Sequence, residues 1–388
     1  MGRVGLRRTT GSADLSARDF AAVIVGGGVA GAATALALAR KGLPTLVVER
    51  NGDQGDRFGE SLAPSVNPLI ERLGLREAFL ATDPLPCYGN RSAWGSDRLD
   101  HRDFIRDPYG HGWHVDRPRF DAMLIDAARL AGAHVALRST VVAASRLENG
   151  SWPLTLEGPD GPRSVTARVV VDASGRASFF ARGQGARRLF EDHLVAAVAI
   201  LEPEGPPILD STTLIEACRD GWWYSALLPD GCLATAYLTD PDLLAATQCG
   251  TSAGWEAALA ETTYTRLRIA KHAYGLAQPP RVVAAGSAFL DGAAGPGWLA
   301  VGDAAASFDP LSSHGIASAL STGLRAAASV RAYVDGARDA FQPFAVGVTR
   351  SFARYQFMRQ AYYAEERRWS DAPFWRRRQR LRSAVSSR

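Results

Sequence analysis

Lysine is almost missing from this chain of 388 residues: Lys41 and Lys271 are its two, and the other 42 basic side chains are arginine. Chemistry that needs a deprotonated amine therefore has two candidate positions, because the guanidinium cation stays protonated. Cysteine is also scarce. Cys87, Cys218, Cys232 and Cys249 form no C-x-x-C pair and have no histidine cluster beside them, which excludes a disulfide framework and a metal site and fits a reducing cytoplasm. No apolar run reads as a membrane span. The uncharged stretch from Ala21 to Ala39 comes nearest, but Gly26, Gly27, Gly28 and Gly31 interrupt it as neither a spanning helix nor a signal segment would. Arg7 and Arg8 lack the apolar core of a twin-arginine export signal. The expectation is a cytoplasmic protein with no membrane partner.

Charge is nearly balanced, at a formal +4, but unevenly placed. From Arg359 to Arg388 there are nine arginines against Glu365, Glu366 and Asp371, so the basicity belongs to the C-terminus. Arginines from Arg367 to Arg382 form either a solvated helix face or a surface for an acidic protein partner. Within Phe341 to Leu381, which alternates aromatics and arginines, Phe352, Tyr355, Phe357, Tyr362 and Tyr363 have the spacing of a core-facing helical stripe, so no nucleic-acid partner is expected.

Glycine is plentiful, at 38 residues, and falls in ligand-type turns. An apolar strand, Phe20 to Val25, runs into Gly26-Gly27-Gly28-Val29-Ala30-Gly31, then an Ala- and Leu-rich helix from Ala30 to Arg40 and a second strand from Leu43 to Glu49. This is a β-α-β unit with G-x-G-x-x-G at the strand-to-helix turn, where helix N–H groups and a partial positive charge suit a pyrophosphate. Glu49 ends the second strand, placed to accept hydrogen bonds from an adenosine ribose and to repel a 2′-phosphate. FAD or NAD is favoured over NADP.

A helix from Arg119 to Ala131 is followed by strands at His134–Leu137, Thr140–Ala144, Trp152–Glu157 and Ser164–Val171. From Leu194 to Leu238 longer β-type runs, including Gly221–Leu228 and Cys232–Thr239, suggest a mainly antiparallel lobe that roofs a ligand. Thr251 to Tyr274 reads as helical, Arg281–Ala285 and Trp298–Val301 as strands, Ile316–Tyr333 as an Ala-rich helix, and Phe341–Leu381 as one or two helices. The fold class is α/β: a Rossmann-type FAD-binding domain with a second, mainly antiparallel β substrate domain and C-terminal helices. The division is residues 1–19 as a disordered extension, 20–86 with 115–187 and 280–336 as the FAD-binding domain, 87–114 with 188–279 as the substrate domain, and 337–388 as the C-terminal helical segment.

Two more motifs separate FAD from NAD. Gly297-Trp298-Leu299-Ala300-Val301-Gly302-Asp303-Ala304-Ala305 is a strand ending in Gly-Asp, and Asp309-Pro310-Leu311-Ser312-Ser313-His314-Gly315-Ile316 leads into a long helix. Here the chain resembles the FAD-dependent monooxygenases of the para-hydroxybenzoate hydroxylase fold. The resemblance implies that Asp303 binds the ribityl chain and that the later helix start faces the isoalloxazine, where a positive helix end suits the negative charge of reduced flavin. Val169-Val170-Val171-Asp172-Ala173-Ser174-Gly175-Arg176 resembles the family's Asp-Gly fingerprint, and Arg117 matches an arginine at the start of the cofactor-flanking helix. The cofactor set so assigned is Gly26, Gly28, Val29, Ala30, Gly31, Glu49, Arg50, Glu60, Ser61, Arg117, Val142, Ala173, Ser174, Gly175, Gly302, Asp303, Pro310, Ser313, Gly315 and Ile316.

Phe58-Gly59-Glu60-Ser61-Leu62-Ala63-Pro64 resembles the Gly-Glu-Ser segment of the flavin-dependent halogenase branch. Those enzymes relay hypohalous acid through a buried lysine a little beyond that segment, yet no lysine lies between Glu60 and His114. Their Trp-x-Trp-x-Ile-Pro motif is also absent, since Gly221-Trp222-Trp223-Tyr224-Ser225 has a different spacing. What remains is aromatic hydroxylation through a flavin C4a-hydroperoxide, and the chain is similar to flavoproteins that hydroxylate a peptidyl tryptophan in tryptophylquinone maturation. The reductant is either NAD(P)H or reduced flavin from a partner reductase. A halogenase, a geranylgeranyl-reductase-like saturase and a redox-inert assembly protein stay open as alternatives. Glu60 and His314 are the candidate catalytic groups, though His314 has equal claim to capping the helix after it. Trp222, Trp223, Tyr224 and His114 are assigned to the aromatic substrate, with plain core packing as the competing role for both tryptophans.

Overall fold

The computed structural model describes residues 19–52, 58–205 and 210–379. All but the last residue of the N-terminal extension lie outside the described residues, as do Arg380, Arg382 and Arg388. Asp19 itself opens the first strand.

The strand Asp19–Val25 is fully buried after its first residue and pairs in parallel with Thr45–Glu49 on one side and Arg163–Asp172 on the other. Buried on both faces, it carries an unbroken apolar run, as parallel strands do. His134–Leu137 extends the sheet beyond Thr45–Glu49, and Trp298–Ala300 beyond Arg163–Asp172, both in parallel. The helix Val29–Ala39 crosses between the first two strands and packs on the long helix Gly315–Val334. Every strand that ends at the glycine turn, at Glu49, at Asp172 or at Ala300 therefore delivers its C-terminal end to the same edge, where ligands bind in open α/β sheets.

The second sheet is mainly antiparallel. Its order is Tyr274–Leu276, Val195–Pro203, Leu233–Thr239, Gly221–Leu227, Thr213–Cys218, Gly89–Ala93 and Asp100–Asp103. Thr213–Cys218 and Gly89–Ala93 run parallel to each other. Arg281–Ala284 pairs with Val195–Val198, so it adds to this second sheet, although the expected division counts it with the first. A small sheet of Ser61–Leu62, Gly112–His114 and Leu85–Cys87 joins the two, with Ser61 opposite His114.

The helical expectation over Thr251–Tyr274 resolves into two helices, Ser252–Ala260 and Tyr264–Lys271. The buried Glu216 carboxylate causes the break by accepting from the backbone N–H groups of Thr263, Tyr264 and Thr265, which caps the second helix afresh. At the C-terminal end the helix Gln342–Glu365 buries Phe344, Val348, Phe352, Tyr355, Arg359 and Tyr363 along one face. Phe357 of the expected stripe is 75% exposed. The arginines beyond are largely paired within the chain: Arg368 with Glu366 and Asp97, Arg377 with Asp240 and Asp242, Arg378 with Asp240. Among the described residues no helix is long and apolar enough to cross a membrane.

Candidate active site

A cleft of about 1000 Å³ runs along the C-terminal edge of the parallel sheet and under the second sheet. It sits at the upper end of ligand-site volumes, enough for a dinucleotide-sized group with a small ring beside it. Gly26, Gly28, Val29, Ala30, Glu49, Arg50, Ala173, Ser174 and Gly175 line one end, and Glu60, Ser61, Arg117, Asp303, Pro310, Ser313, His314, Gly315 and Ile316 line the other. Val142 lies on its wall.

Local conformation explains the glycines. Gly26 has φ +110°, and a Cβ there would sit 2.3 Å from the Ala173 carbonyl oxygen, so the glycine turn and the Asp-Ala-Ser-Gly turn interlock through bare backbone. Gly31 and Gly302 do not reach the cleft; they allow close packing. A Cβ on Gly31 would meet Gly26 O at 2.0 Å, and one on Gly302 would meet the Ala30 methyl at 2.7 Å. Asp172 is fully buried and shapes the second turn by accepting from Ser174 N at 2.9 Å, Ser174 Oγ at 2.6 Å and Ala181 N at 2.8 Å. Burial pushes its carboxyl up, against those hydrogen bonds.

Glu49 is held in place by the turn it serves. Its Oε2 accepts from Gly27 N at 2.6 Å and its Oε1 from Asn51 N at 2.9 Å, leaving each oxygen a lone pair toward the cleft. Arg117 acts partly through the backbone: it pairs with buried Asp121 at 3.3 Å and donates to Phe58 O at 2.7 Å and Gly59 O at 3.2 Å. That fixes the segment carrying Glu60 and Ser61. Glu60 is buried on the cleft, and burial raises its carboxyl more than Arg117 lowers it.

Two helices begin on this cleft. Val29–Ala39 follows Gly28 and Gly315–Val334 follows His314, and neither has a side chain capping its first turn or an acid within it. Unsatisfied N–H groups and two positive helix ends thus face one elongated cavity, the donor set a pyrophosphate and an anionic ring edge need. A Cβ on Gly315 would meet open space, so the second helix start is approachable. The residues present fit FAD. His314 occupies the N-cap position without capping; its Nδ1–H donates instead to Ser312 O.

The substrate assignments separate. Tyr224 lines the cleft, within a wall of small side chains that includes Ala196, Val198, Ala234 and Ala236. Trp222 and Trp223 do not. Trp222 is 1% exposed and packs with Tyr363, Phe374 and Trp375, donating to the Tyr363 hydroxyl at 3.1 Å. Trp223 is fully buried among Tyr237 and Trp255 on the opposite side of the sheet. Adjacent strand residues point to opposite faces, so both cannot share one wall. His114 is also fully buried, behind Ser61 and Thr213. The alternation of small residues along Val195–Pro203 and Leu233–Thr239 was a sequence signal for the wall that the expectations did not use. Nothing in the sequence marks Thr213.

A profile of the FAD dependent oxidoreductase family matches residues 22–192. LodB of Marinomonas mediterranea, a protein that carries the name of an FAD-dependent oxidoreductase, is 30% identical over 367 residues, covering 93% of this chain and 97% of LodB. The chain belongs to the FAD-dependent oxidoreductases. Within them, tryptophan 2-halogenase of Chondromyces crocatus is 30% identical over 337 residues, 82% of this chain and 62% of that protein, so the chain spans under two thirds of that enzyme. Among solved structures the myxobacterial chondrochloren halogenase CndH superposes with a TM-score of 0.85 at 24% identity, covering 95% of this chain and 89% of CndH, which shows the shared fold. The peptidyl tryptophan dihydroxylase QhpG, essential for tryptophylquinone cofactor biogenesis, gives 0.73 at 25% identity over 93% of this chain and 79% of its own.

Proposed function

We propose that the chain is an FAD-dependent monooxygenase that hydroxylates an electron-rich aromatic ring, a tryptophan carried in a peptide or protein. The observation that carries this reading is the cleft's composition: two uncapped helix starts, a wall of small apolar side chains with one phenol, and no lysine. Lys41 lies exposed just past the first helix, and Lys271 ends the helix Tyr264–Lys271, lining a separate small pocket. Neither lysine lines the cleft to carry hypohalous acid. The likeness to QhpG supports the peptidyl substrate.

Glu49 and the glycine turn would hold the adenosine and pyrophosphate of FAD, and Asp303 with Ser313–Ile316 its ring end; reduced and bound, it would supply activated oxygen. The chain's own residues do the rest. The Ala196, Ala234 and Ala236 wall excludes water from the ring. Burial raises the Glu60 carboxyl at the cleft against the pull of Arg117, and His314 stands on the rim beside the second helix start. The reductant is NAD(P)H or reduced flavin from a partner reductase, and stopped-flow oxidation of NADH and NADPH by the purified holoenzyme separates the two.

Halogenation of the same ring is the second reading, favoured by the halogenase relatives. Supplying reduced flavin, O2 and bromide with a tryptophan peptide tests the choice. A product heavier by one oxygen supports the proposal, and the paired isotope pattern of bromine overturns it.

A further inference from the structure

Tyr224 lines the largely apolar wall, and its hydroxyl ends a chain of hydrogen bonds that begins inside the protein. The hydroxyl lies 2.7 Å from Ser61 Oγ, which lies 3.1 Å from Thr213 Oγ1. Thr213 Oγ1 lies 2.9 Å from His114 Nε2, and His114 Nδ1 lies 2.8 Å from Leu227 O. A carbonyl oxygen accepts and never donates, so Nδ1 carries the proton. Burial pushes the ring down to about 4, so at pH 7 it is neutral and Nε2 is an acceptor.

The remaining directions follow by elimination. Thr213 has one hydrogen and gives it to Nε2. Ser61 therefore gives its hydrogen to Thr213, and Tyr224 gives its own to Ser61. Cys87 Sγ, 3.9 Å from Thr213 Oγ1, donates to Gly89 O at 3.3 Å and leaves the direction unchanged. The phenol lines the cleft with its hydrogen committed to Ser61, so its oxygen has only lone pairs left to offer.

We infer that Tyr224 sets substrate selectivity: the chain of donors running back to His114 makes its oxygen an acceptor, so the cleft takes aromatic rings that present an N–H or O–H and disfavours isosteres that present an acceptor. This rests on the aromatic-substrate reading above and narrows its substrate class. Ser61, Thr213 and His114 are positioning residues, acting through Tyr224. An indole N–H meets the lone pair directly. A benzofuran oxygen of the same shape meets it lone pair to lone pair, with neither group satisfied.

The test titrates the oxidised holoenzyme with a glycine-flanked tryptophan peptide and with its benzofuranylalanine counterpart, read by the perturbation of bound-flavin absorbance, so no turnover is involved. The tryptophan peptide is expected to bind about tenfold more tightly, the affinity equivalent of one unsatisfied polar contact. Tyr224→Phe is expected to bring the ratio close to one. Thr213→Val frees the Ser61 hydrogen to turn toward Tyr224, so the ratio falls there too, while Thr213→Ser keeps it. Equal binding of the two peptides by the unaltered protein overturns the inference and leaves the aromatic reading standing. An unchanged ratio in Thr213→Val, with Tyr224→Phe lowered, overturns the relay from His114. Failure of the tryptophan peptide to bind overturns the peptidyl aromatic reading and this inference with it, whereas failure of the benzofuran peptide alone supports the inference.

Discussion

The hydroxyl of Tyr363 donates to Asp309 Oδ2 across 2.7 Å, and by this bond the helix Gln342–Glu365 holds the loop that leads into Gly315. Arg359 pairs with the same oxygen at 3.3 Å and with Asp192 at 2.5 Å, and Tyr355 accepts from Asp309 N at 2.8 Å. Asp309 in turn accepts from Leu311 N at 2.9 Å. A residue pattern that looks like core packing is thus also the brace of the cleft's second helix start.

Removing the arginine of that brace leaves a buried carboxylate short of its cation. Arg359→Ala should lower unfolding stability by about 3–5 kcal/mol, whereas Tyr363→Phe, which removes one hydrogen bond, should cost about 1–3 kcal/mol. Urea denaturation of the three proteins checks the order. Equal losses in the two variants would show that the ion pair is not the stronger part.

Glu49→Arg replaces a buried acceptor of two backbone N–H groups by a cation. Flavin affinity should fall, with each lost bond to the charged acceptor worth roughly 1.5–3 kcal/mol. Equilibrium dialysis of FAD against the folded variant measures it, and unaltered affinity would remove Glu49 from the cofactor site.

Stability should also depend on acid through His114. Its ring titrates at 6.5 in the unfolded chain and at about 4 when folded, so the unfolded state binds more protons between those values. Stability contributed by the neutral ring is complete above pH 6.5 and is lost as pH falls toward 4, by about 3 kcal/mol in all. His114→Gln lacks this titration, and the difference between the two proteins isolates it from other groups. Parallel pH profiles of their urea midpoints would contradict the assignment.

Trp223 lies in the core, away from the cleft. Trp223→Leu should destabilise the fold by an amount toward the lower end of the roughly 3–5 kcal/mol typical of buried tryptophan truncation, while leaving the affinity of folded protein for the tryptophan peptide unchanged. A weakened peptide affinity at unchanged stability would return Trp223 to the substrate site.

Much of the parallel sheet was legible in the chain, because its signals are local. An apolar run ending in glycines and an alternating Ala and Leu helix arise within a few residues of one another, and the strands His134–Leu137, Thr140–Ala144 and Trp152–Glu157 fall where their patterns place them. The split at Thr263 was not legible, since the carboxylate that causes it comes from Glu216, in another strand.

The glycine-turn end of the cleft belongs with what the sequence by itself determined. The glycine turn, Glu49, the Asp-Ala-Ser-Gly turn and the start of the last Ala-rich helix each depend on backbone conformations and helix ends that a short segment encodes. The end of the cleft walled by Tyr224 was decided by tertiary structure. Trp222, Trp223 and Tyr224 are neighbours in sequence with equal aromatic claims, and pairing in the second sheet sends Tyr224 to the cleft, while Trp222 meets the C-terminal helices and Trp223 the opposite core. The direction of the Tyr224 hydroxyl is more remote still, because it is set by Ser61, Thr213, His114 and Leu227, which lie in four different strands and meet only when those strands close around one buried ring. A hydrogen-bond direction is a property of all the partners at once, so no single segment could carry it.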